Sequence, residues 1–136
     1  MSGQKRVLVV EDEMLIRTLL LEVLSDNGFE VSLARDGEES LEQLGTNSFD
    51  LVITDIQMPG VDGIKMLKEM KKADRKEKII VMSADPSDMG LNEPDMPHVV
   101  SRLQKPFRID NFLDVVIAAT AGNEDLFESR PMEEAC

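Results

Sequence analysis

Short apolar runs alternate along the chain with segments in which apolar residues recur every three or four positions. The run Val7–Val10 is continuous, which is typical of a strand buried on both faces of a parallel sheet. The three-and-four spacing indicates helices with one buried face. We predict strands at 7–10, 30–34, 50–54, 78–82 and 99–103, and helices at 14–27, 36–44, from 64 into a basic run, and at 110–121. Five alternations of this kind predict a doubly wound α/β fold with a parallel sheet between two helical layers.

The ends of the helices are marked by residues that favour caps and turns. We expect Asn27-Gly28 to end the first helix, Asp36 to cap the second and Gly45 to end it, and Asp110 to open the last. The predicted core stripe of the first helix is Ile16, Leu19, Leu20, Val23 and Leu24. Met14, Leu15 and Leu21 lie off that stripe, where packing under a neighbouring loop is the simplest role.

One segment breaks the alternation. Between the fourth and fifth predicted strands, residues 86–97 contain three prolines and a glycine. Proline is poorly tolerated inside a helix, so any helix in this segment is expected to be short, at about 87–92.

Length and charge restrict the kinds of protein this can be. The 136 residues fit one domain, and the net charge of −12 argues against a nucleic-acid groove or an anionic membrane surface as a direct partner. No stretch has the apolar length of a membrane span, and residues 1–6 show no signal-peptide pattern. A single cysteine, Cys136, excludes an internal disulfide. We therefore expect a cytoplasmic protein.

Polar residues follow the predicted strands. Asp55 directly follows the third predicted strand and precedes Pro59-Gly60, and the other strand ends are followed by Glu11, Asp12, Ser83 and Lys105. The carboxyl ends of parallel strands share one edge, where ligands bind in open α/β sheets. Clustered carboxylates repel one another unless a cation compensates, and hard oxygen ligands favour Mg²⁺. An aspartate can attack phosphorus, while a lysine and a serine can bind phosphate oxygens, so the edge is a candidate phosphoryl-acceptor site.

With these motifs, residues 5–121 resemble the receiver domain of two-component response regulators. The matching stretches are Val-Leu-Val-Val-Glu-Asp-Glu at 7–13, Thr-Asp-Ile-Gln-Met-Pro-Gly at 54–60, Ser-Ala at 83–84 and Lys-Pro-Phe at 105–107. The resemblance implies a flavodoxin-like sheet with strand order 2-1-3-4-5 and a receiver domain over 1–121. Residues 122–136 contain five acids and one arginine, and we expect them to form a disordered acidic tail.

The resemblance also implies roles for residues of the edge. Asp55 would be the phosphorylated residue, with Asp12 a direct Mg²⁺ ligand, Glu11 a supporting acid and the Gln57 backbone carbonyl a further ligand. Ser83 and Lys105 would contact the phosphoryl group. The Lys105-Pro106 peptide bond would be cis.

The phosphoryl group would come from a phosphohistidine on a sensor histidine kinase or phosphotransfer protein. The domain would catalyse this transfer and its own slow dephosphorylation, then switch its interaction with a downstream protein. Gln57 and Asp85 match positions that tune hydrolysis in the family. Both are polar, so we expect them to influence the attacking water; a phosphoryl lifetime unchanged by apolar replacements would remove that role.

Two features depart from the family pattern. Arg102 occupies the position of the usual aromatic switch residue, and the proline-rich segment stands where the fourth helix belongs, so that helix is expected to be short or irregular. Readout through loop ordering or through Arg102 is therefore the expectation. The off-stripe residues Met14, Leu15 and Leu21 gain a second interpretation, as a docking patch for the phosphodonor.

Two other classes of protein stay open. A receiver-like scaffold would bind partners without phosphorylation, and Arg102 favours it whereas the complete set of phosphosite residues does not. A phosphohydrolase with an aspartyl nucleophile commonly carries a second Asp two residues later, where this chain has Gln57. A dinucleotide-binding fold is excluded because Glu-Asp-Glu replaces the glycine-rich first turn.

Overall fold

The computed structural model of the protein describes residues 4–56, 63–84 and 94–121. Within these ranges the strands are β1 (Arg6–Val10), β2 (Glu30–Ala34), β3 (Leu51–Asp55), β4 (Lys78–Ser83) and β5 (Ser101–Gln104). The helices of the same ranges are α1 (Met14–Asp26), α2 (Gly37–Thr46), α3 (Gly63–Lys72) and α4 (Ile109–Thr120). None of the helices in these ranges has the length and apolar character needed to cross a membrane.

The five strands form one parallel sheet in the order β2-β1-β3-β4-β5, which confirms the predicted fold class and strand order. β3 and β4 each reach one residue further than predicted, to Asp55 and Ser83. β5 begins at Ser101, two residues later than the predicted start at Val99. Just before the strand, the N–H of Val100 donates a hydrogen bond to the carbonyl of Ile79 in β4.

The first two helices begin or end at the expected signals. Asp36 caps α2 by accepting a hydrogen bond from the N–H of Glu39 at 2.8 Å, as predicted. At the end of α1 the N–H of Gly28 donates to Ser25 and that of Phe29 to Leu24, and Gly28 has a φ of 90°. This pair of hydrogen bonds is the Schellman motif. It requires a left-handed backbone conformation at Gly28, which glycine adopts without strain.

Two predicted helix bounds are wrong. α2 continues through Gly45 to Thr46, because glycine weakens a helix without blocking it and the N–H of Asn47 still donates to Gln43. α4 begins at Ile109, so Asp110 lies in its first turn and pairs with Arg108 instead of capping the helix.

The core has one layer on each face of the sheet. One layer packs α2 and α3 against Leu8, Val52 and Val81, and the other packs α1 and α4 against Val9, Ile53 and Ile80. The side chain of Leu19 is 43% exposed, so its placement in the core stripe of α1 was wrong.

Some predictions fall outside the described residues. The short helix at 87–92 lies there, as does most of the segment expected to replace a regular fourth helix. The proposed tail at 122–136 lies there as well. These three statements stay predictions.

A buried ion pair lies at the edge of the sheet where the strands begin. The guanidinium of Arg75 makes two hydrogen bonds to the carboxylate of Glu77, which is 3% exposed. Arg75 also donates to the carbonyls of Leu44 and Asn47, and Glu77 accepts from the N–H of Phe49. The pair thus joins the end of α2, the loop before β3 and the start of β4.

Replacement of Glu77 by Gln is expected to lower the free energy of unfolding by roughly 2–3 kcal/mol at pH 7, because it leaves the charge of Arg75 without its partner. Burial raises the pKa of the Glu77 carboxyl, but the hydrogen bonds from Arg75 and Phe49 lower it by more, so its pKa lies below the ordinary value. This stabilisation is therefore complete above the unfolded pKa of about 4.3 and is lost as the pH falls through the folded value.

Urea unfolding at pH 7 and at lower pH values measures the effect, and Lys76→Gln is the matched control because Lys76 and its partner Asp74 are more than four-fifths exposed. The control is expected to change stability by less than about 0.5 kcal/mol. Equal losses in the two variants would contradict a specific role for the buried pair.

Candidate functional site

Backbone hydrogen bonds continue past the strand ends and fix the residues that follow. The N–H of Glu11 donates to Ala34 at 3.0 Å, and that of Lys105 donates to Ser83 at 2.8 Å. In the same way the N–H of Ile56 donates to Met82 at 3.2 Å, directly after Asp55. The polar residues at this edge are therefore held by the sheet itself and not by free loops.

Three acids meet at the edge. Glu11, Asp12 and Asp55 each offer a carboxylate oxygen, and these oxygens all lie within 4.8 Å of one another. Glu11 is fully buried and Asp55 nearly so, whereas Asp12 is exposed to solvent. Two of the three charges are thus withdrawn from water while the third faces the opening.

Lys105 supplies the positive charge opposite these acids. Its ammonium nitrogen lies 2.7 Å from Asp55 Oδ2 and 3.0 Å from Glu11 Oε1. Burial lowers the pKa of the Lys105 ammonium, but its hydrogen bonds to the two carboxylates raise it by more, so the pKa lies above its ordinary value. Lys105 therefore stays charged at neutral pH.

One ammonium does not neutralise the cluster. Burial raises the pKa of the Glu11 carboxyl by more than the hydrogen bonds from Lys105 and the N–H of Glu13 lower it. Three carboxylates against one lysine leave net negative charge, and the oxygen donors are of the type and spacing that suit a hard divalent cation. The residues present therefore fit Mg²⁺, and Asp12 is exposed on the side at which such an ion would keep water ligands.

Ser83 and Pro106 complete the predicted set around Asp55. Ser83 is the last residue of β4, directly after the residue paired with Asp55, and it is fully buried. The Lys105-Pro106 bond is cis, as the resemblance implied. Behind it the ring of Phe107 stacks on Phe112 with centroids 5.5 Å apart, which anchors the loop that carries Lys105 to the buried face of α4.

Two residues that support Asp55 were not predicted from the sequence. The hydroxyl of Thr54 donates to the carbonyl of Asp55 at 2.9 Å. Gly63 begins α3 so close to this strand that a Cβ atom would lie 2.6 Å from the carbonyl oxygen of Asp55. No side chain fits there without moving the backbone of Asp55. The glycine at the start of a predicted helix was the available signal, but it did not reveal which backbone it approaches.

The other predicted residues are not part of the acid cluster or are not among the residues that the structure describes. Met14 and Leu15, at the start of α1, are 65% and 81% exposed, while Leu21 is half-buried. Arg102 is exposed on β5 and lines a cleft beside the first turn of α4 with Arg108, Asp110 and Asp114. Gln57 and Asp85 are not among the described residues.

Comparison with known proteins shows the family. Residues 7–117 match the model of the response regulator receiver domain. The chain belongs to this family, as its strand-end motifs had implied.

Relatives of similar size support the assignment. The chain is 34% identical to sporulation initiation phosphotransferase F of Bacillus subtilis, over 82% of this chain and 90% of the relative. It is 35% identical to the chemotaxis protein CheY of the same organism, over 82% of this chain and 93% of the relative.

Solved structures agree with the fold. Response regulator TrrA of Thermotoga maritima, in complex with Mg²⁺-BeF, is 34% identical, with a TM-score of 0.74 over 85% of this chain and 99% of that one. The chemotaxis response regulator CheY4 of Vibrio cholerae is 27% identical, with a TM-score of 0.77 over 86% of this chain and 99% of that one.

Proposed function

We propose that this receiver domain accepts a phosphoryl group on Asp55 from a phosphohistidine of a sensor histidine kinase or a histidine phosphotransfer protein. The observation that carries the proposal is the contact of Lys105 with Asp55 inside a cluster of three acids. A carboxylate held beside a charged lysine, at the opening of a buried acidic site, can attack phosphorus while the lysine binds the developing charge.

Glu11, Asp12 and Asp55 would hold Mg²⁺ together with the backbone carbonyl of Gln57. When bound, the ion would offset the negative charge of the incoming phosphoryl group. TrrA, a relative solved in complex with Mg²⁺-BeF, supports this choice of ion.

In the transfer, an oxygen of Asp55 forms a bond to phosphorus as the bond between phosphorus and the donor's imidazole nitrogen breaks. The electron pair of the broken bond stays on the imidazole nitrogen, and the imidazole takes up a proton from solvent. Lys105 keeps its charge and pairs with a phosphoryl oxygen, and Ser83 donates a hydrogen bond to another. Water later attacks the aspartyl phosphate, with Gln57 and Asp85 proposed to tune that step.

The proposal includes a cytoplasmic location, because donor kinases draw their phosphoryl group from cytoplasmic ATP.

Incubation with Mg²⁺ and acetyl phosphate is expected to add one phosphoryl group to the wild-type chain, as measured by intact mass. Asp55→Asn is expected to abolish the adduct, because an amide is not a nucleophile at neutral pH. Asp74→Asn, at an acid that is 85% exposed and lies far from the acid cluster, is the matched control and is expected to react like the wild type. An adduct that survives Asp55→Asn would contradict the assignment, and no adduct on the wild type would favour the receiver-like scaffold.

We further propose that the exposed start of α1 contacts the phosphodonor. Met14 and Leu15 are exposed and come shortly after Glu11 and Asp12, so they lie near the acid cluster to which a donor would bring its histidine. Leu19 continues the exposed apolar surface one turn later, whereas the half-buried Leu21 contributes less than predicted.

Leu15→Ser is expected to slow phosphotransfer from a histidine phosphotransfer domain by about tenfold, because it removes a large apolar contact. The probe is whichever member of a purified panel phosphorylates the wild type. The rate with acetyl phosphate is expected to stay unchanged, and Ile117→Ser, at an exposed residue on α4, to leave both rates unchanged. Equal transfer rates in Leu15→Ser and the wild type would remove α1 from the docking surface.

A third proposal concerns the output. Arg102 is exposed beside a cleft that also contains Arg108, Asp110 and Asp114, where a change of charge at Asp55 could alter which groups pair. We propose that the switch uses these charges or the ordering of the loop before β5, in place of a rotating aromatic ring.

Amide hydrogen exchange at residues 84–104 is expected to slow when the chain is phosphorylated. Arg102→Gln is expected to reduce the difference, since it removes the charge that would respond to Asp55. Exchange rates in this segment that are identical with and without phosphorylation would contradict the proposal.

A further inference from the structure

Arg17, on the first turns of α1, reaches back to the acid turn. One guanidinium nitrogen, Nη1, donates to the carbonyl oxygen of Glu11 at 2.8 Å and to that of Asp12 at 3.3 Å. These are the backbone carbonyls of two of the three clustered acids. The side chain of Arg17 is half-buried, so its contact is partly protected from water.

The residue that follows this turn contacts it through its backbone and not through its side chain. Glu13 is the N-cap residue of α1, but its side chain makes no capping hydrogen bond. Its N–H is used to hold the carboxylate of Glu11, by donating to Oε2 at 3.1 Å. The backbone of Glu11 and Asp12 is therefore fixed from β1 on one side and by Arg17 from the helix on the other.

We propose that Arg17 is a positioning residue that holds the backbone of Glu11 and Asp12 so that both carboxylates face one divalent cation. The inference rests on the Mg²⁺ site of the proposed function. Groups that orient metal ligands without touching the metal commonly change metal affinity by about 10- to 100-fold when they are removed.

The sign of the effect separates positioning from charge. Arg17 brings a positive charge close to the site, so electrostatics alone predicts that its removal tightens Mg²⁺ binding. Loss of positioning predicts the opposite, because the two carboxylates then have to be ordered at the expense of binding energy.

The test is calorimetric titration of the metal-free chain with MgCl₂. The wild type is titrated first, followed by Arg17→Met and by the control Lys76→Met, which removes one charge at the far end of the sheet. We expect Arg17→Met to raise the Mg²⁺ dissociation constant about tenfold and the control to change it less than twofold. The amide resonance of Glu13 is expected to shift in metal-free Arg17→Met, because its hydrogen bond to Glu11 reports the shape of the turn.

If Arg17→Met does not fold, Arg17→Lys is titrated in its place. Lysine keeps the positive charge but lacks the planar guanidinium, so weaker Mg²⁺ binding is again expected. With acetyl phosphate, the Mg²⁺ concentration for half-maximal phosphorylation is expected to rise while the rate at saturating Mg²⁺ stays near that of the wild type. Unchanged or tighter Mg²⁺ binding in a folded variant overturns the inference alone. A wild type that binds no Mg²⁺ overturns the proposed metal site, and the inference with it.

Discussion

The contact between Lys105 and the carboxylates of Asp55 and Glu11 is the interaction on which the functional edge of this protein depends. Two buried carboxylates side by side repel each other. Lys105 follows Asp55 by 50 residues in the sequence, and the pairing of β5 with β4 brings it to the two acids. Lys105 lowers the repulsion enough for the acids to stay buried. It does not cancel their charge, and the proposed binding of a cation and a phosphoryl group depends on this excess of negative charge.

The two ends of the sheet handle buried charge in opposite ways. At the amino ends of the strands, Glu77 is matched by Arg75 with two hydrogen bonds, and the remaining donors of Arg75 reach backbone carbonyls. That pair is complete, so it stabilises the fold and offers nothing to a ligand. At the carboxyl ends, Asp12 remains exposed beside two buried acids and one lysine. The proposed reactivity of this end depends on that excess of acids over lysine.

Most of the architecture could be predicted because it follows from local patterns. The strand order, the cap at Asp36, the end of α1 at Gly28 and the convergence of acids all depend on periodicity, on single turn residues or on the family motifs. The errors occurred where a local signal competes with packing: Gly45 did not stop a helix whose hydrogen bonds continue, and Leu19 fell just outside the buried stripe.

Arg17 and Gly63 could not have been assigned from sequence, because each acts on a backbone group whose position only the assembled fold defines. One donates to the carbonyls of the acid turn and the other leaves room for the carbonyl of Asp55. The cap at Asp36 could be predicted because it binds a backbone N–H only three residues away, whereas the contact that Gly63 makes is with another segment of the chain.

The most direct test of the account is chemical identification of the phosphorylated residue. The wild-type chain, phosphorylated with acetyl phosphate and Mg²⁺, is treated with borohydride, which reduces an aspartyl phosphate to homoserine, and peptides are sequenced by tandem mass spectrometry. If Asp55 is the phosphoacceptor, homoserine is expected at position 55. Homoserine at Asp12 or another aspartate, or a phosphoryl group recovered on a residue other than an aspartate, would contradict it.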